Sequence, residues 1–193
     1  KKEFVQNVFT NVYDKYDLMN DFMSLGIHRL WKKDLIHWMG PSKNKKLIDV
    51  ACGTGDLGRL FLENTNLTGK VLCLDGDGAI TMHLGALSTS AKMNNIIHVV
   101  FNNDSHDSVG GQKTASSGVE YHKIAKQLGY KYSKRVNDKK GLTLAIMSIL
   151  KNKKSSFLEI ICNKGNRFDL SRPKKNMLIY KKIFKKFLKY EAK

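Results

Sequence analysis

The sequence has no long apolar run, few cysteines and little arginine, and each shortage argues against a class of protein. Apolar stretches such as residues 99–101 fall far short of the roughly 20 residues that a membrane-spanning helix needs. Cys52, Cys73 and Cys162 are too few and too scattered for a disulfide framework or a zinc site. No charged segment followed by an apolar one opens the sequence, so no secretory signal is indicated. We therefore expect a cytoplasmic protein with no membrane partner.

Lysine dominates the charge of the chain. Its 193 residues include 34 cations and 17 anions, a formal net charge of +17, yet only 5 of the cations are arginine. Because planar arginine side chains are the usual readers of bases, we do not expect a nucleic-acid partner. The charge is also uneven, with a net value of +2 over residues 1–75 and +15 over residues 76–193.

Much of the positive charge lies in residues 174–193, where apolar side chains follow one helical face. We expect a last helix that packs on the domain and keeps its lysines in water. A helix that binds a membrane surface or a nucleic acid is the alternative.

The pattern of apolar residues predicts an α/β fold. Hydrophobic residues make up 41% of the chain, enough to bury a core in one domain. Residues 4–38 have helical spacing, and Gly40-Pro41 ends that region. Strands are then expected at 46–51, 70–75, 96–101, 131–136 and 157–162, helices at 57–64, 79–92, 119–128, 139–151 and in the tail, and a loop at 104–118. This alternation predicts a doubly wound, mostly parallel sheet with helices on both faces, preceded by an N-terminal helical segment.

A glycine-rich turn follows the first expected strand. Gly53, Gly55 and Gly58 have the spacing G-x-G-x-x-G, and Asp75 ends the next strand 20 residues after Gly55. Glycines allow a tight turn and a close approach of the backbone to a ligand, and an acid at the second strand end can accept both ribose hydroxyls. The turn therefore indicates a nucleoside-cofactor site, with a purely structural turn as the alternative.

The residues around this turn resemble a methyltransferase. Residues 49–55 resemble the first motif of class I S-adenosylmethionine-dependent methyltransferases. Residues 8–21 and 24–32 are similar to the ubiquinone/menaquinone biosynthesis C-methyltransferases, in which this region lies over the cofactor. The resemblance covers residues 1 to about 75 and implies that Asp75 binds the ribose of S-adenosylmethionine. It divides this part into a helical segment, 1–45, and a strand–loop–helix–strand unit, 46–75.

A second group of residues has the chemistry of a cation site. Asp77 stands between Gly76 and Gly78, and Asn103 ends the next strand 26 residues later. Asp77 offers a carboxylate, Asn103 an amide oxygen and Ser105 a backbone carbonyl, which are ligands that Mg²⁺ prefers. The two glycines leave room for phosphate oxygens. A turn and an asparagine pair with no ligand are the alternative.

This second group resembles the GDG…NN signature of thiamine diphosphate enzymes. Residues 74–79, 82–87, 102–112 and 169–173 are similar to the cofactor-binding domain of phosphonopyruvate decarboxylase and, next, of sulfopyruvate decarboxylase. The resemblance covers residues 70–193, with a cofactor-binding domain at 76–193. It implies thiamine diphosphate bound at Gly76, Asp77, Gly78, Ala79 and Asn103, Mg²⁺ held by Asp77, Asn103 and Ser105, and His106 near an anionic 2-oxo acid substrate. It also implies an oligomer and a partner chain that supplies a pyrimidine-binding domain.

The two resemblances meet at residues 71–75, where the charge of the chain also changes, and this predicts a chimera. The main hypothesis is a thiamine diphosphate/Mg²⁺-binding domain of a phosphonopyruvate-type decarboxylase, which performs non-oxidative decarboxylation to an aldehyde and is inactive alone. The alternative is an S-adenosylmethionine-dependent quinol C-methyltransferase. A basic binding module without catalysis is a third, weaker hypothesis.

Overall fold

The structure, a computed structural model, describes residues 21–53, 55–152, 154–165, 169 and 176–191. Three sequence-based expectations fall wholly or partly outside these residues. They are the start of the N-terminal helical region, the methyltransferase-like segment at 8–21 and the decarboxylase-like segment at 169–173.

Strands and helices alternate along the described chain. The helices are α1 (Ile27–Met39), α2 (Asp56–Asn64), α3 (Asp77–Met82), α4 (Ala86–Ala91), α5 (Tyr121–Leu128), α6 (Lys139–Lys151) and α7 (Met177–Glu191). The strands are β1 (Lys46–Val50), β2 (Lys70–Gly76), β3 (Ile96–Asn102), β4 (Ser105–His106), β5 (Gln112–Lys113), β6 (Tyr132–Val136) and β7 (Ser156–Ile161). None of the helices in this part of the chain combines the length and the apolar character needed to cross a bilayer.

Five strands form one parallel sheet in the order β1-β2-β3-β7-β6. The registers align Asp49 with Cys73, Cys73 with His98, and His98 with Phe157. Because aligned residues of a parallel sheet share a face, these four side chains form one row. The strands follow chain order from β1 to β3, the chain then crosses to β6 at the opposite edge, and β7 lies between β3 and β6. β1 forms the other edge of the sheet.

Helices cover both faces of the sheet, which confirms the predicted fold class. On one face, helices α3, α4 and α5 pack over Val100 and Phe157. Ile36 of α1 and residues of α2 pack on the same face against Val71. On the other face, α6 packs its buried Ala145 and Ile149 against Val99, Val136 and Leu158.

The structure corrects three local predictions. The helix expected at 79–92 is two short helices, interrupted at residues 83–85. The loop expected at 104–118 contains the small β4–β5 hairpin. The last helix does not bury its apolar face among the described residues, since Ile183, Phe184 and Phe187 are 50%, 61% and 56% exposed.

Candidate functional site

The glycine turn connects β1 to α2. The backbone N–H groups of Ala51 and Cys52 donate to the Leu74 carbonyl, so the turn folds over the end of β2. Gly53 and Gly55 have φ angles of 53° and 73°, a region that favours glycine. A Cβ placed on either residue would have no heavy atom of the described chain within 4 Å, so the turn is open to a ligand.

Gly58 has a different function in the same motif. A Cβ on this helical residue would lie 3.0 Å from Cγ1 of Val71, so its small size allows α2 to approach β2 closely. The three glycines thus have the two roles that the sequence pattern predicts: two allow the tight turn, and one allows the close contact between helix and strand.

Asp75 ends β2 beside the turn, and its side chain is almost completely buried, with 3% of the residue exposed. Oδ1 accepts a hydrogen bond from the Gly76 N–H at 3.1 Å, and Oδ2 accepts one from the Cys52 thiol at 3.6 Å. Burial raises the pKa of this carboxyl group to about 6, although these hydrogen bonds oppose the effect. Both oxygens thus already have donors within the chain, and a carboxylate at the end of a strand beside a glycine turn can also accept hydrogen bonds from ligand hydroxyl groups.

His98 lies behind Asp75, with its Nε2 atom 4.0 Å from Asp75 Oδ2. Burial lowers the pKa of His98 to about 4, so at neutral pH the imidazole is uncharged and the contact is not a salt bridge. Nε2 is also 4.0 Å from the Cys52 sulfur. A hydrogen bond with Cys73, burial and the charge of Asp75 raise the pKa of the Cys52 thiol, which therefore keeps its proton.

A cavity of about 430 Å³ adjoins the glycine turn. Its lining includes Gly55, Asp56 and Arg59 from the turn and α2, and Met82, His83 and Gly85 from the end of α3 and the segment before α4. Its volume lies within the range of small-molecule sites. Asp75 is not among the residues that line it.

The residues of the second predicted site surround another cavity, also of about 430 Å³. Its lining includes all of the residues singled out there, namely Gly76, Asp77, Gly78, Ala79, Asn103, Ser105 and His106. Asp77 is 2% exposed and accepts a hydrogen bond from the Thr114 hydroxyl. The His106 ring lies against Gly78, where a Cβ would come within 2.5 Å of it.

Asp107, which the sequence analysis did not single out, organises this loop. Asn103 Nδ2 donates to Oδ2 of Asp107 at 2.8 Å, and Ser105 Oγ donates to its Oδ1 at 2.7 Å. These hydrogen bonds, that from Ser105 above all, lower the pKa of Asp107. The fold therefore brings the second group together, but the assignment of a metal to Asp77, Asn103 and Ser105 stays a prediction.

A glycine turn after β1 and a buried acid at the end of β2, in a parallel sheet with helices on both faces, define a Rossmann-like α/β protein. Comparison with known families identifies a particular family within this class of fold. The model of the ubiE/COQ5 methyltransferase family matches residues 1–109, which is more than half of the chain. The chain therefore belongs to the ubiE/COQ5 methyltransferase family.

The chain is similar to curated methyltransferases over its matched part. The "Ubiquinone/menaquinone biosynthesis C-methyltransferase UbiE" of Roseobacter denitrificans is 56% identical over 59 residues, which are 31% of this chain and 24% of that protein. The mitochondrial "2-methoxy-6-polyprenyl-1,4-benzoquinol methylase" of Gallus gallus is 56% identical over 62 residues, 32% of this chain and 20% of that protein. The chain thus spans about a quarter of the length of these relatives or less.

Solved structures give a weaker likeness. The benzoylformate decarboxylase of Polynucleobacter necessarius matches with a TM-score of 0.48 and 21% identity, over 56% of this chain and 22% of that one. A thiamine diphosphate-dependent 4-hydroxybenzoylformate decarboxylase of Rhodococcus jostii RHA1 matches with a TM-score of 0.45 and 13% identity, over 70% of this chain and 33% of that one. With TM-scores below 0.5, this similarity does not support a conclusion about the function of the chain.

These comparisons correct the main functional hypothesis. The family match runs through residues 71–75 to residue 109, and the curated relatives are methyltransferases. The prediction that the chain functions as a thiamine diphosphate-dependent decarboxylase is therefore wrong, and the methyltransferase alternative is favoured. The expected 2-oxo acid substrate and pyrimidine-domain partner depended on that hypothesis.

Proposed function

We propose that the chain binds S-adenosylmethionine at the glycine turn and Asp75, as the cofactor-binding part of a quinol C-methyltransferase. The observation that carries the proposal is the buried Asp75 carboxylate at the end of β2, directly beside a turn whose glycines leave open space. Family membership supports the choice of S-adenosylmethionine among nucleoside cofactors. When bound, this cofactor supplies a methyl group on a positively charged sulfur.

The residues of this chain have separate functions in the proposal. Asp75 accepts hydrogen bonds from the ribose hydroxyls, which join or replace its present donors, the Gly76 N–H and the Cys52 thiol. Gly53 and Gly55 allow the backbone to approach the cofactor closely. Cys52 must turn its thiol away from Asp75 Oδ2 or share that oxygen with the incoming hydroxyl, because the two groups are in contact.

The proposal also covers the substrate class and the junction between the two resemblances. The substrate class, a quinol methylated on carbon, follows the printed names of the curated relatives. The junction predicted at residues 71–75 is supported by the change in charge there, whereas the family match continues through it to residue 109. Long reads of the source DNA test the junction, and one continuous reading frame together with intact relatives of the same architecture would contradict it.

Calorimetric titration of the purified chain with S-adenosylmethionine tests the proposed function. We expect Asp75→Asn to weaken binding by about 10–100-fold, because a hydrogen bond to a charged group is worth about 1.5–3 kcal/mol. Asp77→Asn is the matched control, since it neutralises another buried carboxylate two residues away and should leave the affinity unchanged. Equal losses in both variants, or binding of thiamine diphosphate with Mg²⁺ and not of S-adenosylmethionine, would overturn the proposal.

A further inference from the structure

Three metal-ligating side chains converge under the glycine turn. They are Cys52 from the turn, Asp75 from the end of β2 and His98 from the middle of β3. The Cys52 sulfur lies 3.6 Å from Asp75 Oδ2 and 4.0 Å from His98 Nε2, and the last two atoms are also 4.0 Å apart. Side chains separated by 23 and 46 residues along the chain thus present one sulfur, one oxygen and one nitrogen to a single point.

The size of this triangle fits a zinc ion. From the three distances, a point equidistant from the sulfur, oxygen and nitrogen lies about 2.2 Å from each. Zinc is bound at about 2.3 Å by cysteine sulfur, 2.0–2.1 Å by histidine nitrogen and 2.0–2.2 Å by carboxylate oxygen. That point lies in the plane of the three atoms, so a tetrahedral zinc with a fourth ligand requires the two 4.0 Å separations to shorten to about 3.6 Å, a small movement of the side chains.

The surroundings favour a cation at this point. Asp49 lies in the same row of the sheet as His98, and its Oδ2 atom is buried without a hydrogen-bond partner among the described residues. Asp75 is 3% exposed and Asp49 is 9% exposed, so two carboxylates share a region with little water to screen them. Their mutual repulsion is relieved by a divalent cation between or beside them.

We propose that Cys52, Asp75 and His98 bind Zn²⁺ with a fourth coordination position left for water. Borderline-soft zinc accepts this mixture of sulfur, nitrogen and oxygen ligands, whereas Mg²⁺ and Ca²⁺ select oxygen alone. Binding converts the Cys52 thiol to a thiolate, and its proton is released to solvent. His98 binds through Nε2 as a neutral imidazole.

The site has a consequence that rests on the proposed function. Asp75 cannot bind zinc and both ribose hydroxyls with the same oxygens, so the metal and S-adenosylmethionine compete for this residue. Zinc then acts as an inhibitor of cofactor binding, and S-adenosylmethionine protects the Cys52 thiol from the metal.

Titration of the purified chain with Co²⁺, a spectroscopic substitute for Zn²⁺, tests the site. We expect one Co²⁺ per chain, with a thiolate-to-cobalt charge-transfer band that Zn²⁺ removes by displacement. Cys52→Ser should abolish the band. His98→Gln should weaken Co²⁺ affinity at least about tenfold, since loss of even an outer-shell partner costs about 10–100-fold.

Cys162→Ser and His37→Gln are the matched controls, because they remove a thiol and an imidazole that lie outside the cluster, and both should bind Co²⁺ like the parent chain. If His98→Gln fails to fold, the half-buried Cys52 still gives the decisive variant. Absence of the thiolate band, or a band that survives Cys52→Ser and disappears in Cys73→Ser, would overturn the assignment.

A second arm separates this inference from the proposed function. We expect saturating S-adenosylmethionine to weaken Co²⁺ binding at least about tenfold, by occupation of Asp75. A Co²⁺ site with these ligands in a chain that does not bind S-adenosylmethionine would support the metal site and overturn the proposed function. Binding of S-adenosylmethionine without any thiolate band would overturn the metal site alone.

Discussion

At the scale of single residues, burial raises the pKa of Asp75 and lowers the pKa of His98. Each side chain is shifted toward its uncharged form, the acid to a pKa of about 6 and the imidazole to a pKa of about 4. The folded chain thus binds a proton at Asp75 more readily than the unfolded chain does, and at His98 less readily. The stability contributed by Asp75 is present at low pH and is lost as the pH rises from about 4 to 6. The stability contributed by His98 is present at neutral pH and is lost as the pH falls from 6.5 to about 4.

The two contributions nearly cancel in the parent chain, and single substitutions should reveal each of them. Asp75→Asn removes a contribution that falls with pH, so relative to the parent the free energy of unfolding should rise by about 3 kcal/mol between pH 4 and 6. His98→Gln removes a contribution that rises with pH, so relative to the parent it should fall by about 3 kcal/mol between pH 4 and 6.5. Urea unfolding in EDTA at several pH values measures both slopes. Parallel pH profiles in the two variants would contradict the assignment.

At the scale of secondary-structure elements, Glu159 connects four of them through one fully buried carboxylate. It accepts hydrogen bonds from Asn102 of β3 at 2.9 Å, from Arg135 of β6 at 2.7 Å and from the backbone of His122 in α5 at 3.1 Å. Burial alone would raise the pKa of Glu159, but these hydrogen bonds outweigh it and lower the pKa. The carboxylate therefore stabilises the fold above its ordinary pKa, and this stability is lost as the pH falls through the lower folded value.

We expect Glu159→Gln to lower the free energy of unfolding by about 2–4 kcal/mol at pH 7, because it leaves Arg135 without its buried partner. Glu120→Gln is the matched control. This partly exposed carboxylate also faces Arg135, at 4.0 Å, and its removal should cost much less, because water screens the pair. Chemical denaturation of the three proteins measures the difference, and similar losses in the two variants would show that Glu159 has no special structural importance.

The alternation of strands and helices was predictable because each element carries its own period of apolar residues. Helix α6 begins and ends where the sequence predicts, with the Asp138 side chain accepting from the Gly141 N–H at its start. The split at residues 83–85 and the β4–β5 hairpin were missed. The hairpin is held by the Asp107 side chain, and such local polar contacts have no period to detect.

Within the candidate site, the sequence identified Gly53, Gly55, Gly58 and Asp75, because a spacing motif between a strand and a helix is visible along the chain. It did not identify His98, and it excluded a zinc site from the spacing of the cysteines. The cluster of Cys52, Asp75 and His98 exists only through the parallel pairing of β2 with β3 and the fold of the turn over β2. Neither contact follows from local sequence.

At the scale of the whole molecule, one cavity adjoins the glycine turn and another adjoins the residues that follow β2 and β3, and the family assignment favours the one beside the glycine turn. β1 lies at one edge of the sheet and the direction of the chain across the sheet reverses at β6, the opposite edge, so the glycine turn and Asp75 do not lie at a reversal of strand order. Parallel α/β folds commonly bind ligands at such a reversal. Which end-of-strand residues a cofactor touches is therefore the central question about this molecule.

Residue-resolved NMR of the isotope-labelled chain during titration with S-adenosylmethionine answers it most directly. We expect saturable shifts of the backbone amides of Gly53, Gly55 and Gly76, around the turn and Asp75, with little change at Asn103 and His106. Unchanged amides in the glycine turn at saturating S-adenosylmethionine, or shifts confined to Gly78, Asn103 and His106, would contradict it.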